Sequence, residues 1–347
     1  MPAKVRLRAA PATFVSLAVA LGLAAALLPT HAPATFGGKN GRIAFNGVVP
    51  GTCCSEIFTA KPNGSDIQKL TSTPGQSDSE LPDWAPDGQS IAFDSNRPDI
   101  DGRKQVFQVY SMNADGSGLT QLTRGPGQQS NPGWAPNATR LAIRADWGKR
   151  ALQGIWIIPS SDPDGVTRDE ARRLTKIPAG VDFDSEPQFS PDGTAVVFSR
   201  FKDFSTSAIL RIGIDGNGLK RLTPWRLNAS DPDWSPNGHK ITFDSGDSGQ
   251  PGSKGNIYVM RADGSERRRL TDFPPIRRSV GIVEANNPVW SPSGTKIMYT
   301  HFFSHLHNNQ GSALVKMRAN GSHKHVVVGG RFGKRHFPNK VDWGTHP

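Results

Sequence analysis

Cysteine is almost absent from this chain. It has two among 347 residues, adjacent as Cys53-Cys54. So few exclude a disulfide framework, and the lack of a Cys-x-x-Cys pair argues against dithiol redox chemistry. The pair is expected to be loop-borne and non-catalytic, with its redox state left open. Sustained helical periodicity is missing outside the N-terminus, which excludes a helical bundle. No Gly-x-Ser-x-Gly elbow occurs, so a hydrolase of that type is not expected. No Asp-x-Asp-x-Asp-Gly loop or recognised nucleic-acid module occurs either. Acidic residues are outnumbered, 30 Asp+Glu against 41 Lys+Arg, for a net charge of +11.

What the chain has in quantity is Gly (37) and Pro (28), as a turn-rich β protein requires. Many of them fall in a phrase that recurs. "LPDWAPDGQSIAFDS" at Leu81 is followed by "NPGWAPNATRLAIRAD" at Asn131, "EPQFSPDGTAVVFSR" at Glu186, "DPDWSPNGHKITFDS" at Asp231 and "NPVWSPSGTKIMYTH" at Asn287. A shorter copy, "NKVDWGTHP", ends the chain. The aromatic positions Trp84, Trp134, Phe189, Trp234, Trp290 and Trp343 lie 50, 55, 45, 56 and 53 residues apart. Periods of this size signal a repeat architecture.

Each copy continues in the same way. After the turn comes an alternating run (Ile91/Phe93, Leu141/Ile143, Val196/Phe198, Ile241/Phe243, Ile297/Tyr299), the period-two pattern of a strand with one buried face. A second apolar run ends in Asp-Gly or Asn-Gly, which favour turns with φ > 0. A last strand is expected to end in Leu-Thr, as at Leu122-Thr123, Leu174-Thr175, Leu222-Thr223 and Leu270-Thr271. Four antiparallel strands per repeat cannot bury both sheet faces alone. Radial stacking can, and this is the β-propeller solution. The first repeat lacks its aromatic strand: "GRIAF" at Gly41–Phe45 matches a second strand. The missing one stands at the other end, at Val341-Asp342-Trp343. The expected fold is all-β, a six-bladed propeller of four-stranded antiparallel blades closed by the C-terminal strand. The aromatic residues are expected to pack between neighbouring blades.

The N-terminus reads separately. Lys4, Arg6 and Arg8 precede an uncharged apolar run from Phe14 to Leu28, and Ala32-x-Ala34 offers a processing site. Residues 1–34 are expected to be a signal peptide and 37–347 the propeller. Cleavage or anchoring of the signal segment is left open. The product would be exported: periplasmic, cell-surface or secreted. The positive excess is concentrated late, with 14 Lys+Arg against 5 Asp+Glu from Arg261 onward. Arg267, Arg268 and Arg269 offer contact with an anionic surface; solvated blade edges guarded by charge are the plainer reading.

At "WAPDG", "FSPDG", "WSPNG" and "WSPSG" the sequence resembles the Pro-Asp-Gly variant of the WD-like repeat from which the TolB-like family is built. The resemblance covers about Gly37 to Trp343. It implies an exported six-bladed propeller that binds a protein or glycan. TolB itself carries a further N-terminal α/β domain, which is not expected here, given the short stretch between Leu28 and Arg42.

The expected function is a non-enzymatic binding module of the cell envelope, a monomer without cofactors. Its partner would be an envelope protein or glycan, not nucleic acid. The candidate site follows from the repeat. Three residues before each aromatic stand Leu81, Asn131, Glu186, Asp231, Asn287 and Lys340, which a ring must place at equivalent heights. The polar five form the expected ligand-binding rim at the channel mouth; the alternative is that they cap strand starts. Replacing Glu186 and Asp231 together is expected to weaken capture and spare stability. One competing function is a metal-dependent polysaccharide lyase or hydrolase using His301, His305 and His307. The other is a structural envelope scaffold without a saturable ligand.

Overall fold

The alternating runs form strands in the computed structural model, which describes residues 37–48, 54–98, 106–162, 164–203, 206–246, 255–273, 282–305, 309–331 and 337–346. The strands build six four-stranded antiparallel sheets. Five are continuous in sequence, with inner strands Ser79–Trp84, Gln129–Trp134, Phe183–Phe189, Ala229–Trp234 and Ile282–Trp290. The sixth is composite: Asn40–Val48, Ser55–Ala60 and Gln68–Lys69 take their inner strand from the C-terminus, Phe337–Thr345. Ile43 pairs with Trp343 and Phe45 with Val341. Each inner strand contacts the next, and Phe337–Thr345 touches both Ile282–Trp290 and Ser79–Trp84. The chain is therefore the expected six-bladed propeller. We number the composite sheet blade 1 and the others 2 to 6 in chain order.

The aromatic residue works between blades. Trp84 of blade 2 packs with Ala44 and Ile57 of blade 1, Trp134 with Ala92 and Val109 of blade 2, and Trp234 with Val197 and Ile209 of blade 4. Trp343 packs with Met298 and Leu314 of blade 6, which closes the series. All these Trp residues are buried. Removing one should cost about 3–5 kcal/mol, as for other large-to-small aromatic changes.

The Leu-Thr ending differs from its sequence reading. In blades 1 to 5 the outer strand is only two residues long and stops before Leu-Thr. The threonine side chain then takes over the ladder. Oγ1 of Thr71, Thr123, Thr175, Thr223 and Thr271 accepts the backbone N–H of Ile57, Val109, Ile155, Ile209 and Ile257 at 2.8–2.9 Å. Blade 6 has "HVVVGG" in place of Leu-Thr, and its outer strand runs on over His325–Arg331. Neighbouring blades are also clasped at their outer edges. Arg172 donates to Ile214 O (2.7 Å), Lys220 to Asp263 O (3.0 Å) and Arg268 to Asn320 O (3.1 Å), each on the hairpin turn of the following blade.

Candidate functional site: the axial channel

Every inner strand of blades 2 to 6 carries a register shift at the same place: between Glu80 and Asp83, Ser130 and Gly133, Ser185 and Gln188, Ser230 and Asp233, and Asn286 and Val289. These are β-bulges, which re-aim side chains and sit well beside a proline that has no N–H to pair. The proline is Pro82, Pro132, Pro187, Pro232 or Pro288. The residue before it is left-handed: Leu81 (φ 52°), Asn131 (53°), Glu186 (55°), Asp231 (47°) and Asn287 (51°). So the rim positions are bulge residues inside the strand, not caps at its start. Blade 1 departs, with Lys340 followed by Val341 and no positive φ at Lys340.

The bulges turn these positions onto the axis. Leu81, Asn131, Glu186, Asp231, Asn287 and Lys340 line one pocket together with the next two residues of most inner strands. The channel is narrow here: of about 480 Å³ of unfilled space, open solvent included, only about 30 Å³ is room for the centre of a water molecule. Lys340 Nζ lies 3.2 Å from Asp231 Oδ1. With its amide turned so that nitrogen and not oxygen faces the carboxylate, Asn287 donates to both Asp231 carboxylate oxygens, at 2.9 and 3.1 Å. Glu186 Oε2 accepts from Ser199 Oγ (2.5 Å) and from the Asp231 backbone N–H (2.8 Å). Asn131 N–H donates to Asp94 Oδ2 at 3.1 Å. Polar groups of blades 4, 5, 6 and 1 thus form one hydrogen-bonded arc. Glu186 and Asp231 brace neighbouring blades, so deleting both carboxylates carries a structural cost that the sequence reading did not include.

One layer deeper lies a feature the sequence reading missed. Asp83, Asp233 and Asp342 each accept the backbone N–H of the aromatic residue in the next blade: Trp134 (2.8 Å), Trp290 (2.6 Å) and Trp84 (2.7 Å). They staple the ring and line the same pocket. The available signal was the repeated Asp-Trp pair in "PDW", "PDW" and "VDW". Burial, with the mutual repulsion of the acids, pushes Asp83 well up, and burial does the same to Asp233. Burial raises Asp342 to about 6. Burial and then the Asp231 charge raise Glu186 to about 7. Burial alone would lower Lys340, but the charges of Asp231 and Glu186 outweigh it and hold its pKa up. The channel can therefore supply carboxylate acceptors, neutral carboxyl donors, amides and one ammonium within a single concavity.

The other candidates lie elsewhere. Arg267, Arg268 and Arg269 are exposed on the outer edge of blade 5, and Arg269 pairs with Asp272 at 2.9 Å. His301 lies in the second strand of blade 6, stacked on Phe273 (4.9 Å between ring centroids). His307 and the side chain of His305 fall outside the described residues. Among the described residues no group of three or more His, Cys, Asp or Glu could hold a metal ion. Cys54 is disulfide-bonded; Cys53 is outside the described residues. Among the described residues no helix is long and apolar enough to cross a membrane.

Comparison with known proteins agrees with the fold. Residues 169–335 match the family described as TolB beta propeller domain. The solved TolB of Acinetobacter baumannii superposes with a TM-score of 0.65 at 18% identity, over 88% of this chain and 67% of that one. A putative TolB from Agrobacterium tumefaciens gives 0.60 at 21% identity, over 90% and 99%. In sequence, the uncharacterized peptidase YuxL of Bacillus subtilis is 32% identical over 39% of this chain and 19% of its own length. The TolB homolog of Chlorobium luteolum is 29% identical over 47% of this chain and 34% of its own. The chain spans between 15% and 54% of the length of the curated relatives it matches.

Proposed function

We propose, from the premise that this chain carries a TolB-like six-bladed propeller, that it is an exported binding module of the cell envelope. It acts without catalysis and takes a polar segment of a protein or glycan partner at the channel mouth. One observation carries this reading: five polar side chains from five blades converge on one axial pocket. Fold does not fix function, so the weight rests on those side chains. Charge-assisted hydrogen bonds in a concave site are stronger than screened surface pairs. A rim with two carboxylates, two amides and one ammonium matches a peptide backbone or a hydroxylated sugar better than an apolar ligand. The relatives called peptidases support the propeller and nothing finer, since the chain spans about a fifth or less of each.

The test is capture of a partner from envelope extract with the propeller as bait, followed by titration of the captured species. Glu186→Gln with Asp231→Asn keeps the shapes and removes the charges, so the brace between blades is largely retained. We expect at least tenfold weaker binding; the variant also leaves buried Lys340 without its counter-charges and should melt lower, so binding is measured well below its melting temperature. Normal binding by this variant, with loss on neutralising Arg267, Arg268 and Arg269, overturns the channel reading. A stoichiometric transition metal in the purified protein, with activity lost in His305→Ala and His307→Ala, would favour the lyase instead. No saturable ligand at all would favour the scaffold.

A further inference from the structure

Away from the channel, blade 4 and the turn that leaves it hold a cluster of cations beside one indole. Trp225 lies in the short helical turn Trp225–Leu227, which links the outer strand of blade 4 to the inner strand of blade 5. It is half-buried and packs against the core between blades 3 and 4. Lys202 Nζ sits 4.5 Å from its ring centroid and the Arg221 guanidinium carbon 5.4 Å. Arg226 follows it directly. Lys202, Arg221 and Arg226 are all exposed, and among the described residues none of the three forms an ion pair. Most other outer-edge cations are engaged: Lys220 and Arg268 clasp the next blade, Arg269 pairs with Asp272, and Arg267 donates to the carbonyls of Leu222 and Gly264.

Positive charge is concentrated here: Lys202 and Arg221 lie against the indole, and Arg226 adjoins it in sequence. Attraction to the indole face offsets part of the repulsion between Lys202 and Arg221. The ring also fixes where Lys202 and Arg221 stand, so the ordering cost of a bound anion is partly met in advance.

We propose that the Lys202–Arg221–Trp225–Arg226 cluster is a binding site for the anionic groups of an acidic glycan, either uronate carboxylates or phosphodiesters. The cluster lies on the second and outer strands of blade 4 and on the turn that leaves it. A lipid bilayer needs a flat array of cations. Single-stranded nucleic acid needs free aromatic faces for base stacking, and here cations already lie against the indole. A glycan chain passing over blade 4 needs neither, and the Arg-Arg outer strands of blades 3 and 5 lie to either side of it.

The experiment uses the mature chain and measures its affinity for alginate (polyuronate), a teichoic acid (phosphodiester), neutral dextran, single-stranded DNA and phosphatidylglycerol vesicles. We expect binding to one or both acidic glycans, falling steeply with salt. Lys202→Gln, Arg221→Gln and Arg226→Gln combined should weaken it at least tenfold. Lys202→Gln with Arg226→Gln spares the outer strand and should give an intermediate loss. Removing equal charge at Lys61, Arg261 and Lys149 should change affinity less than threefold. Tighter binding to DNA or vesicles than to either glycan overturns the proposal. So does equal loss in the charge-matched control, full binding by the triple variant, or no binding to any polyanion. The channel variant at Glu186 and Asp231 should keep full glycan affinity, so this site and the channel fail or succeed separately.

Discussion

Glu186 shows how one residue serves both the ring and its channel. Its carboxyl holds the Asp231 backbone and Ser199, yet burial and the Asp231 charge raise its pKa from 4.5 to about 7. Burial raises Asp342 from 3.8 to about 6. In both cases the folded state keeps a proton that the unfolded chain releases. The stabilising contribution is therefore complete below the unfolded pKa and is lost as pH rises through the folded one. The windows are about pH 4.5 to 7 for Glu186 and about 3.8 to 6 for Asp342. We expect the melting temperature to fall as pH is raised from 4.5 to 7. Glu186→Gln, which mimics the protonated side chain, should flatten that fall. Parallel melting curves for the two proteins across this range would show that Glu186 is not the titrating group.

At the scale of strands and turns, the repeated threonines are the clearest local device. Thr123 Oγ1 accepts the Val109 N–H, which the two-residue outer strand leaves without a ladder partner. Thr123→Val keeps the shape and removes the acceptor, leaving a buried donor unsatisfied at a cost of about 1–3 kcal/mol. We expect that loss in chemical denaturation, together with faster amide exchange at Val109. Unchanged exchange there would mean that another group takes the N–H. This scale also shows what the sequence could disclose. The aromatic, the turn glycine and the alternating run recur with the same chemistry at each copy, so their roles were readable. The bulge was not, because its left-handed residue is Leu81 in one blade, Asn131 in another and Glu186 in a third; only the following proline is shared. The role of Asp83 was hidden for a different reason. Its hydrogen-bond partner, Trp134, is 51 residues away on the next blade, and an Asp beside Pro in sequence reads as a turn. The rim positions could be named from the repeat, but not the bracing hydrogen bonds between them.

For the whole molecule, closure decides whether six marginal sheets become one cooperative body. Each blade buries its faces only against its neighbours, so an open ring would expose two of them. Phe337–Thr345 prevents this by completing blade 1 from the far end of the chain. Trp343 and Val341 are buried at the joint, Asp342 holds the Trp84 N–H, and Gly344 lies so close to the Trp84 ring that a Cβ would come within 2.7 Å of it. Deleting Val341 to Pro347 removes all of these contacts together. Since Trp343→Ala alone should cost about 3–5 kcal/mol, and whole domains are stable by only about 5–15 kcal/mol, the truncated chain should lose its cooperative unfolding transition. A circular permutant separates closure from chain length. His346 N–H already donates to Lys39 O at 2.9 Å, so the two ends of the ring lie side by side. Joining them with a short glycine linker and opening the exposed turn between Gly216 and Asn217 keeps every blade contact. That permutant should melt cooperatively within several degrees of the parent, while the truncated chain should not. Equal melting of truncated and full-length chains would mean that the ring does not depend on its C-terminal strand.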